Sequence, residues 1–382
     1  MQALDFFAAV KSSGIDFFCG VPDSLLKHFC ACITDNVSAE NHIIAANEGN
    51  AIALAAGHYL ATAKPALVYM QNSGFGNAVN PFLSLCDEKV YNIPALVVVG
   101  WRGEPGVKDE PQHVKQGEVT EVLLNTLGIK YATLSGSIED AQHTLAQATA
   151  YMQKYGLPFV LLVKKNTFSA YQSEVSKKEK SVLSREEAVI KVAKIATTSD
   201  SVIVATTGHI SRELYEYRKN NNFKHNQDFL TVGSMGHASS LALGIALAKP
   251  NHQVFCFDGD GALLMHMGSM PVIAAVGPAN YIHVVFNNEA HDSVGGQRTC
   301  INMVDLPSLA LSCGYKKAIS VTSSSELDTA LELIVGKEGP VFLEIKVKCG
   351  ARSDLGRPLE SPVENKEQFM RFLGEKSAAE LC

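Results

Sequence analysis

Residues 255–297 read FCFDGDGALLMHMGSMPVIAAVGPANYIHVVFNNEAHDSVGGQ, and this stretch decides the fold. An apolar run ends in Asp258-Gly259-Asp260-Gly261, and a helix-like segment follows. A second apolar run, 281–286, then ends in Asn287-Asn288. Strand, helix and strand in that order form a parallel unit that brings both strand ends to one edge of a sheet. Open α/β sheets bind their ligands at that edge. Asp and Asn supply hard oxygen donors, which suit Mg²⁺, and glycines let backbone N–H groups approach a phosphate. The physical reading is a Mg²⁺–diphosphate site.

The same alternation runs through the rest of the chain. In the first half, periodicity predicts strands at 15–19, 43–46, 66–70, 95–99, 130–134 and 159–163, with helices at 2–12, 50–63 and 138–155 among those between them. Residues 101–117 read as a loop holding Asp109-Glu110-Pro111-Gln112-His113, and a loop of that length is often functional. The polar stretch 164–183 reads as a linker. Ser184-Arg185-Glu186-Glu187 is then a capping box that opens a helix to about residue 196. Strands at 202–205, 229–232 and 341–346 complete the second half around the opening stretch. The expected fold class is α/β, with parallel-sheet domains at 1–165 and 184–382 and a linker at 166–183.

Composition narrows the class. The chain has 382 residues, 46% of them hydrophobic, enough for two domains with full cores. A net charge of −6 without a basic block argues against nucleic acid as a partner. The nine cysteines are scattered without a zinc or redox spacing, which suggests a reducing compartment. The N-terminus lacks the pattern of a signal peptide, and no apolar run approaches the roughly 18 residues of a membrane span. A soluble, cytoplasmic protein that avoids membranes is expected.

Gly259-Asp260-Gly261 followed by Asn287-Asn288, with 27 residues from Asp260 to Asn287, resembles the signature of thiamin diphosphate enzymes. GDGALL lacks the third glycine of the nicotinamide fingerprint. By position, the resemblance implies that the side chains of Asp260 and Asn288 and the carbonyl of Ala290 bind Mg²⁺. The N–H groups of Gly261 and Ala262 would hold the diphosphate. Glu48 follows a strand and opens an Ala-rich helix, and it resembles the family's glutamate that hydrogen-bonds the cofactor's aminopyrimidine. That bond favours the tautomer able to activate the thiazolium carbon, which attacks a carbonyl and later accepts the electrons of decarboxylation. Gly233-Ser234-Met235-Gly236 resembles the segment whose bulky side chain, here Met235, wedges between the cofactor rings. Gly208 and His209 end another strand on the ligand edge and are expected at the diphosphate. Taken alone, Glu48 also fits an acid favoured by the helix dipole, Met235 a core methionine, and Asp260 a tight turn.

Over nearly the whole chain the resemblance is to the short, two-domain form of the thiamin diphosphate-dependent decarboxylase family, the phosphonopyruvate decarboxylases. It is carried by residues 20–24, 109–113, 233–239, 287–297 and 352–358. It implies a pyrimidine-binding domain, then a diphosphate-binding domain, with no central third domain. The reaction implied is the non-oxidative decarboxylation of 3-phosphonopyruvate to 2-phosphonoacetaldehyde and CO₂, in phosphonate biosynthesis. Sulfopyruvate decarboxylase or another 2-keto acid decarboxylase is the alternative, and a non-catalytic thiamin diphosphate-binding homologue a third. Protonating the product carbon calls for an acid such as His. His113 and His291 are the first candidates, with His237 after them. The phosphonate and carboxylate call for cations and donors: Arg298, Arg352 and Arg357, with Ser24 and Asn72 as neutral groups. Asp109 and Glu110 belong near a dianion only if they face away or orient neighbours. The family further implies a homo-oligomer, with the cofactor between the first domain of one subunit and the second of its partner, where Glu48 and Asp260 would meet.

Overall fold

The computed structural model describes residues 1–173, 181–197, 200–336 and 338–374. Residues 174–180 of the expected linker therefore lie outside the described residues. The chain divides into two compact units. One is Met1–Lys177 together with His291–Arg298, and the other is Lys178–Ala290 with Thr299–Cys382.

The first unit is built on six parallel strands: β1 (Phe18–Gly20), β2 (His42–Ile44), β3 (Ala66–Gln71), β4 (Ala95–Gly100), β5 (Lys130–Thr133) and β6 (Phe159–Val163). They lie side by side in the order β2-β1-β3-β4-β6-β5. The central strands are apolar runs because both faces are covered. Leu67, Tyr69, Leu96, Val98, Leu161 and Val163 pack on one face with Phe6 and Phe29. The alternate residues Val68, Met70, Val97, Val99, Val160 and Leu162 pack on the other with Ile52 and Phe75.

The second unit repeats the plan with β7 (Ser201–Ala205), β8 (Asp228–Leu230), β9 (Gln253–Gly259), β10 (Tyr281–Asn287), β11 (Lys317–Val321) and β12 (Val341–Lys346). Their order is β11-β12-β10-β9-β7-β8. Ile203, Phe255, Phe257, Val284 and Leu343 line one face, and Val204, Val254, Tyr281, Val285 and Phe342 the other. Between the helix His209–Asn220 and β8, Arg218 and Asp228 form a fully buried ion pair, Nε to Oδ2 at 2.7 Å and Nη2 to Oδ1 at 2.8 Å. The helix Pro362–Phe372 docks on the outer edge of β8. There Asn365 Oδ1 accepts the N–H of Leu230 at 3.0 Å, and Asn365 Nδ2 donates to the carbonyl of Asp228 at 2.8 Å.

The expected capping box is present. Ser184 Oγ accepts from Glu187 N at 3.2 Å, Glu187 Oε2 accepts from Ser184 N at 3.0 Å, and the helix Arg185–Thr197 follows. Two expectations need correction. The loop at 101–117 ends at Glu110, because Pro111 opens a helix that runs to Thr126. Gly117 lies inside that helix where the Gly103 peptide presses on it, leaving no room for a side chain: a Cβ there would meet Gly103 O at 1.7 Å. Second, β11 has no counterpart in the sequence reading. It is an edge strand with mostly half-exposed residues, so it lacks a continuous apolar run.

Candidate active site

In the first unit, four neighbouring strands deliver polar groups to one edge. After β2, Asn47 caps the helix Glu48–Thr62 by accepting from Asn50 N at 2.9 Å, which makes Glu48 its first residue. The Glu48 side chain is buried, and Asn77 Nδ2 donates to its Oε2 at 2.8 Å. Burial pushes its pKa up, and the Asn77 bond opposes that rise. Gly74, in the turn after β3, lies against the carboxyl: a Cβ there would be 2.5 Å from Glu48 Oε1. The fold thus fits closely around a carboxyl whose burial makes it easier to protonate than an exposed glutamate.

After β4 comes Arg102. Asp109 grips it in a fork, Nε to Oδ2 at 2.8 Å and Nη2 to Oδ1 at 2.5 Å. Arg102 Nη1 donates to Ser24 Oγ, in the turn after β1, at 2.8 Å. The Asp109 carboxylate also accepts from Gly103 N at 2.9 Å and Glu110 N at 2.8 Å, so it ties the whole loop. Arg102 beside it holds its pKa down against the effect of burial. Asp109 is therefore an orienting group for Arg102. Asn72, in the turn after β3, donates to Arg102 O at 2.8 Å and Thr120 Oγ1 at 2.9 Å, and its Oδ1 accepts from Arg102 N at 3.1 Å. Its amide thus fixes the Arg102 backbone. Next to Ser24, Asp23 is fully buried, accepts from Gln71 Nε2 at 2.6 Å, and has its pKa raised by burial.

His113 lies in the first turn of the helix Pro111–Thr126 and is 9% exposed. Burial pushes its pKa down to about 4, helped by the Arg102 charge. Its Nδ1 and the Oε1 of Gln112 are buried without a hydrogen-bond partner. His291 is also buried, with its pKa pushed down to about 4 by that burial. Its backbone closes a tight turn, accepting from Val294 N at 3.2 Å and Gly296 N at 2.9 Å and donating to Gln297 O at 2.8 Å. In the absence of another charge, both imidazoles are neutral at pH 7.

In the second unit, β10, β9, β7 and β8 bring their ends to one edge in that spatial order. Register sets Phe286 beside Gly259, so Asp260 and Asn287-Asn288 emerge together. Asp260 opens the short helix Asp260–Met265 and is buried. Burial raises its pKa to about 7, against a 2.6 Å hydrogen bond from Thr299 Oγ1 and backbone N–H groups that include Gly261 and Asn288. Such a buried carboxylate is ionised readily only beside a cation. Asn288 Oδ1 accepts from Ala290 N at 3.1 Å, across Glu289 in the left-handed region at φ 57°. From below, Asp258 Oδ1 accepts the Gly259 N–H at 3.0 Å. Asp258 Oδ2 meets His283 Nε2 at 3.3 Å, and His283 Nδ1 meets the Tyr315 hydroxyl at 3.2 Å.

Gly208, at φ 102°, and His209 follow β7 at the start of the helix His209–Asn220. Gly233, Ser234 and Met235 follow β8, with Ser234 at φ 49° and Met235 half-buried. Gly236 packs that turn against the Asp260–Met265 helix: a Cβ there would be 3.0 Å from Ala262 O. His237 is exposed and lies 4.2 Å from the His266 ring.

The structure thus gathers Glu48, Ser24 and Asn72 at the first sheet's edge. It gathers Gly208, His209, Gly233, Ser234, Met235, Asp260, Gly261, Ala262, Asn288 and Ala290 at the second's. Arg352 is held by Glu186 at 3.0 Å, by Asp354 at 3.0 Å and by Glu216. Arg298 and Arg357 are exposed. Sequence reasoning missed Arg102, Thr299, Gly74 and Asn77. For Arg102 a signal existed: it stands just past the end of a clear buried strand, the rule that singled out Glu48.

Two family models match the chain: "Thiamine pyrophosphate enzyme, N-terminal TPP binding domain" over residues 3–124, and "Thiamine pyrophosphate enzyme, C-terminal TPP binding domain" over residues 206–345. The chain is 33% identical over 353 residues to a phosphonopyruvate decarboxylase of Streptomyces viridochromogenes, covering 88% of this chain and 86% of that protein. It is 32% identical to a phosphonopyruvate decarboxylase of Streptomyces hygroscopicus, covering 88% and 85%. It is 28% identical to a sulfopyruvate decarboxylase of Methanosarcina acetivorans, covering 86% and 87%.

Proposed function

The chain belongs to the thiamine pyrophosphate enzymes, in the phosphonopyruvate decarboxylase family, and from that membership we propose that it converts 3-phosphonopyruvate to 2-phosphonoacetaldehyde and CO₂. The observation that carries the reading is identity of 33% across both units to a phosphonopyruvate decarboxylase, against 28% to a sulfopyruvate decarboxylase. The step serves phosphonate biosynthesis. No helix among the described residues is long and apolar enough to cross a membrane. A cytoplasmic setting fits the free thiols of the described cysteines.

The residues fit the cofactor and its metal. Asp260 is a buried carboxylate that a divalent cation would keep ionised, and Asn288 and the Ala290 carbonyl add oxygen donors of the kind Mg²⁺ takes. The N–H groups of Gly261 and Ala262, at a helix start, would hold the diphosphate, with Gly208, His209, Gly233 and Ser234 along the same edge. Met235 would wedge between the rings. Thiamin diphosphate supplies a carbon nucleophile and an electron sink for decarboxylation.

The remaining work falls to this chain's own groups. Glu48, its pKa raised by burial, would share a proton with the aminopyrimidine nitrogen while Asn77 holds its other oxygen. His113 and His291 rest neutral, and an arriving anionic substrate would raise their pKa and ready one of them to protonate the carbon that loses CO₂. Two copies of the chain would complete each site, one giving Glu48 and the other Asp260.

The test is reconstitution with thiamin diphosphate and Mg²⁺, then CO₂ release from phosphonopyruvate, sulfopyruvate and pyruvate in parallel. Phosphonopyruvate should be fastest. Faster turnover of sulfopyruvate overturns the assignment.

A further inference from the structure

We propose that Arg102 is the residue that grips the phosphonate group of the substrate and so separates phosphonopyruvate from simple 2-keto acids; the proposal rests on the decarboxylase reading above. A guanidinium has five N–H donors in one plane. Here Asp109 takes two and Ser24 takes one. One N–H on each terminal nitrogen remains, and donors on both terminal nitrogens are what two oxygens of a phosphonate require.

The guanidinium is held before any ligand arrives. The Asp109 carboxylate is itself anchored by Gly103 N and Glu110 N, and the Arg102 backbone is clasped at both N–H and C=O by Asn72. Ordering a long side chain normally costs binding energy, and here the fold has already met that cost. The position is also apt. Glu48 lies against Gly74 in the turn after β3, and β4, which ends at Gly100 two residues before Arg102, is the next strand over. Neighbouring strands are about 4.8 Å apart, so the Arg102 backbone leaves the sheet beside the turn that packs on Glu48, and its side chain reaches Ser24 in the turn after β1 on the same edge. His113, whose pKa the Arg102 charge depresses, is close enough to sense an anion bound there. Arg352, by contrast, is already surrounded by three acids in the second unit.

The experiment compares wild type, Arg102→Gln and Arg102→Lys in the cofactor-loaded enzyme. kcat/KM is measured for phosphonopyruvate and for pyruvate, and methylphosphonate binding is followed by calorimetry. Arg102→Gln should lose roughly 10²- to 10³-fold in kcat/KM for phosphonopyruvate, mostly through KM, while pyruvate changes by less than about 3-fold. Added guanidinium ion should restore part of the loss. Arg102→Lys, which keeps a charge against Asp109, should show an intermediate loss for phosphonopyruvate alone, and it answers the question if the glutamine variant does not fold. Methylphosphonate should bind wild type and not Arg102→Gln. Equal losses for both substrates, or unchanged methylphosphonate binding, overturn the proposal. A wild type that binds methylphosphonate through Arg102 yet does not decarboxylate phosphonopyruvate overturns the reaction assignment instead.

Discussion

Replacing Glu48 by glutamine separates chemistry from stability. The amide has nearly the shape of the carboxyl, so it fits the space left by Gly74, and Asn77 Nδ2 can still donate to its oxygen. What changes is charge. A hydrogen bond to a charged group, about 1.5–3 kcal/mol, becomes a neutral one of about 0.5–1.5 kcal/mol. Against that, the cost of burying a carboxylate disappears, the same cost that raises the Glu48 pKa. The two differences nearly cancel, leaving a net change of about 1 kcal/mol of either sign and a melting shift of a few degrees. Turnover should respond quite differently. An amide neither gives nor takes a proton near pH 7, and positioned acid–base groups contribute about 10²–10⁴-fold. A loss of about 10³-fold in kcat, ~4 kcal/mol on the barrier, is expected. The assay pairs CO₂ release at saturating thiamin diphosphate with calorimetric cofactor binding and a circular-dichroism melt. A glutamine variant within tenfold of wild-type kcat would refute the role given to Glu48. Collapse of the melt would recast the residue as structural.

The neighbouring Gly74→Ala should cut turnover at least tenfold and lower the melt by several degrees, because the new Cβ falls 2.5 Å from both Cγ and Oε1 of the buried Glu48; unchanged kcat would show that Glu48 has room to spare. Stability should fall on acidification from pH 7 to 5. His42, half-buried, and His113, buried, have pKa values pushed down to about 4, below the ordinary 6.5, and are neutral at pH 7. Between those values the unfolded chain binds more protons, so stability rises with pH across the window and is fully present only above about 6.5. Each histidine should contribute roughly 2 kcal/mol of loss by pH 5, read from the urea midpoint, and His42→Gln should flatten the slope. A pH-independent midpoint would count against both burial effects. Arg218→Ala should destabilise the second unit by about 3–5 kcal/mol, since Asp228 is left as an uncompensated buried charge. Arg218→Met with Asp228→Leu should recover most of that, and failure to recover would point to a role beyond charge pairing.

Much of the framework is legible in the sequence because physics at strand ends is local. Apolar runs such as 95–99 and 281–286 announce strands buried on both faces, and the polar residues just beyond them reach the ligand edge. That logic reaches Glu48, Asp260 and Asn288. It fails where the signal is non-local or split. β11 is half-exposed, so its pattern is faint. The helix from Pro111 looked like loop because Gly117 sits within it, and that glycine is explained only by the Gly103 peptide arriving from elsewhere. Thr299 reaches Asp260 across 39 residues, and Ser24 reaches Arg102 across 78, which no window of sequence reveals. Asp109 is at home near an anion site because Arg102, seven residues before it, takes up its charge.

The last helix has a consequence for how the protein behaves among its own copies. β8 is an outer strand, and outer strands offer unpaired peptide groups onto which another chain can add. Among the outward groups on β8 are the Leu230 N–H and the Asp228 carbonyl, and a single side-chain amide, Asn365, takes both. An amide carries a donor and an acceptor much as a peptide does, so Asn365 stands in for one residue of a further strand, with a helix rather than a ribbon behind it. The opposite edge strand, β11, begins with a lysine, Lys317, another common guard. Cover for this edge of the second unit is thus supplied by a residue remote from the strand ends where the chemistry is gathered.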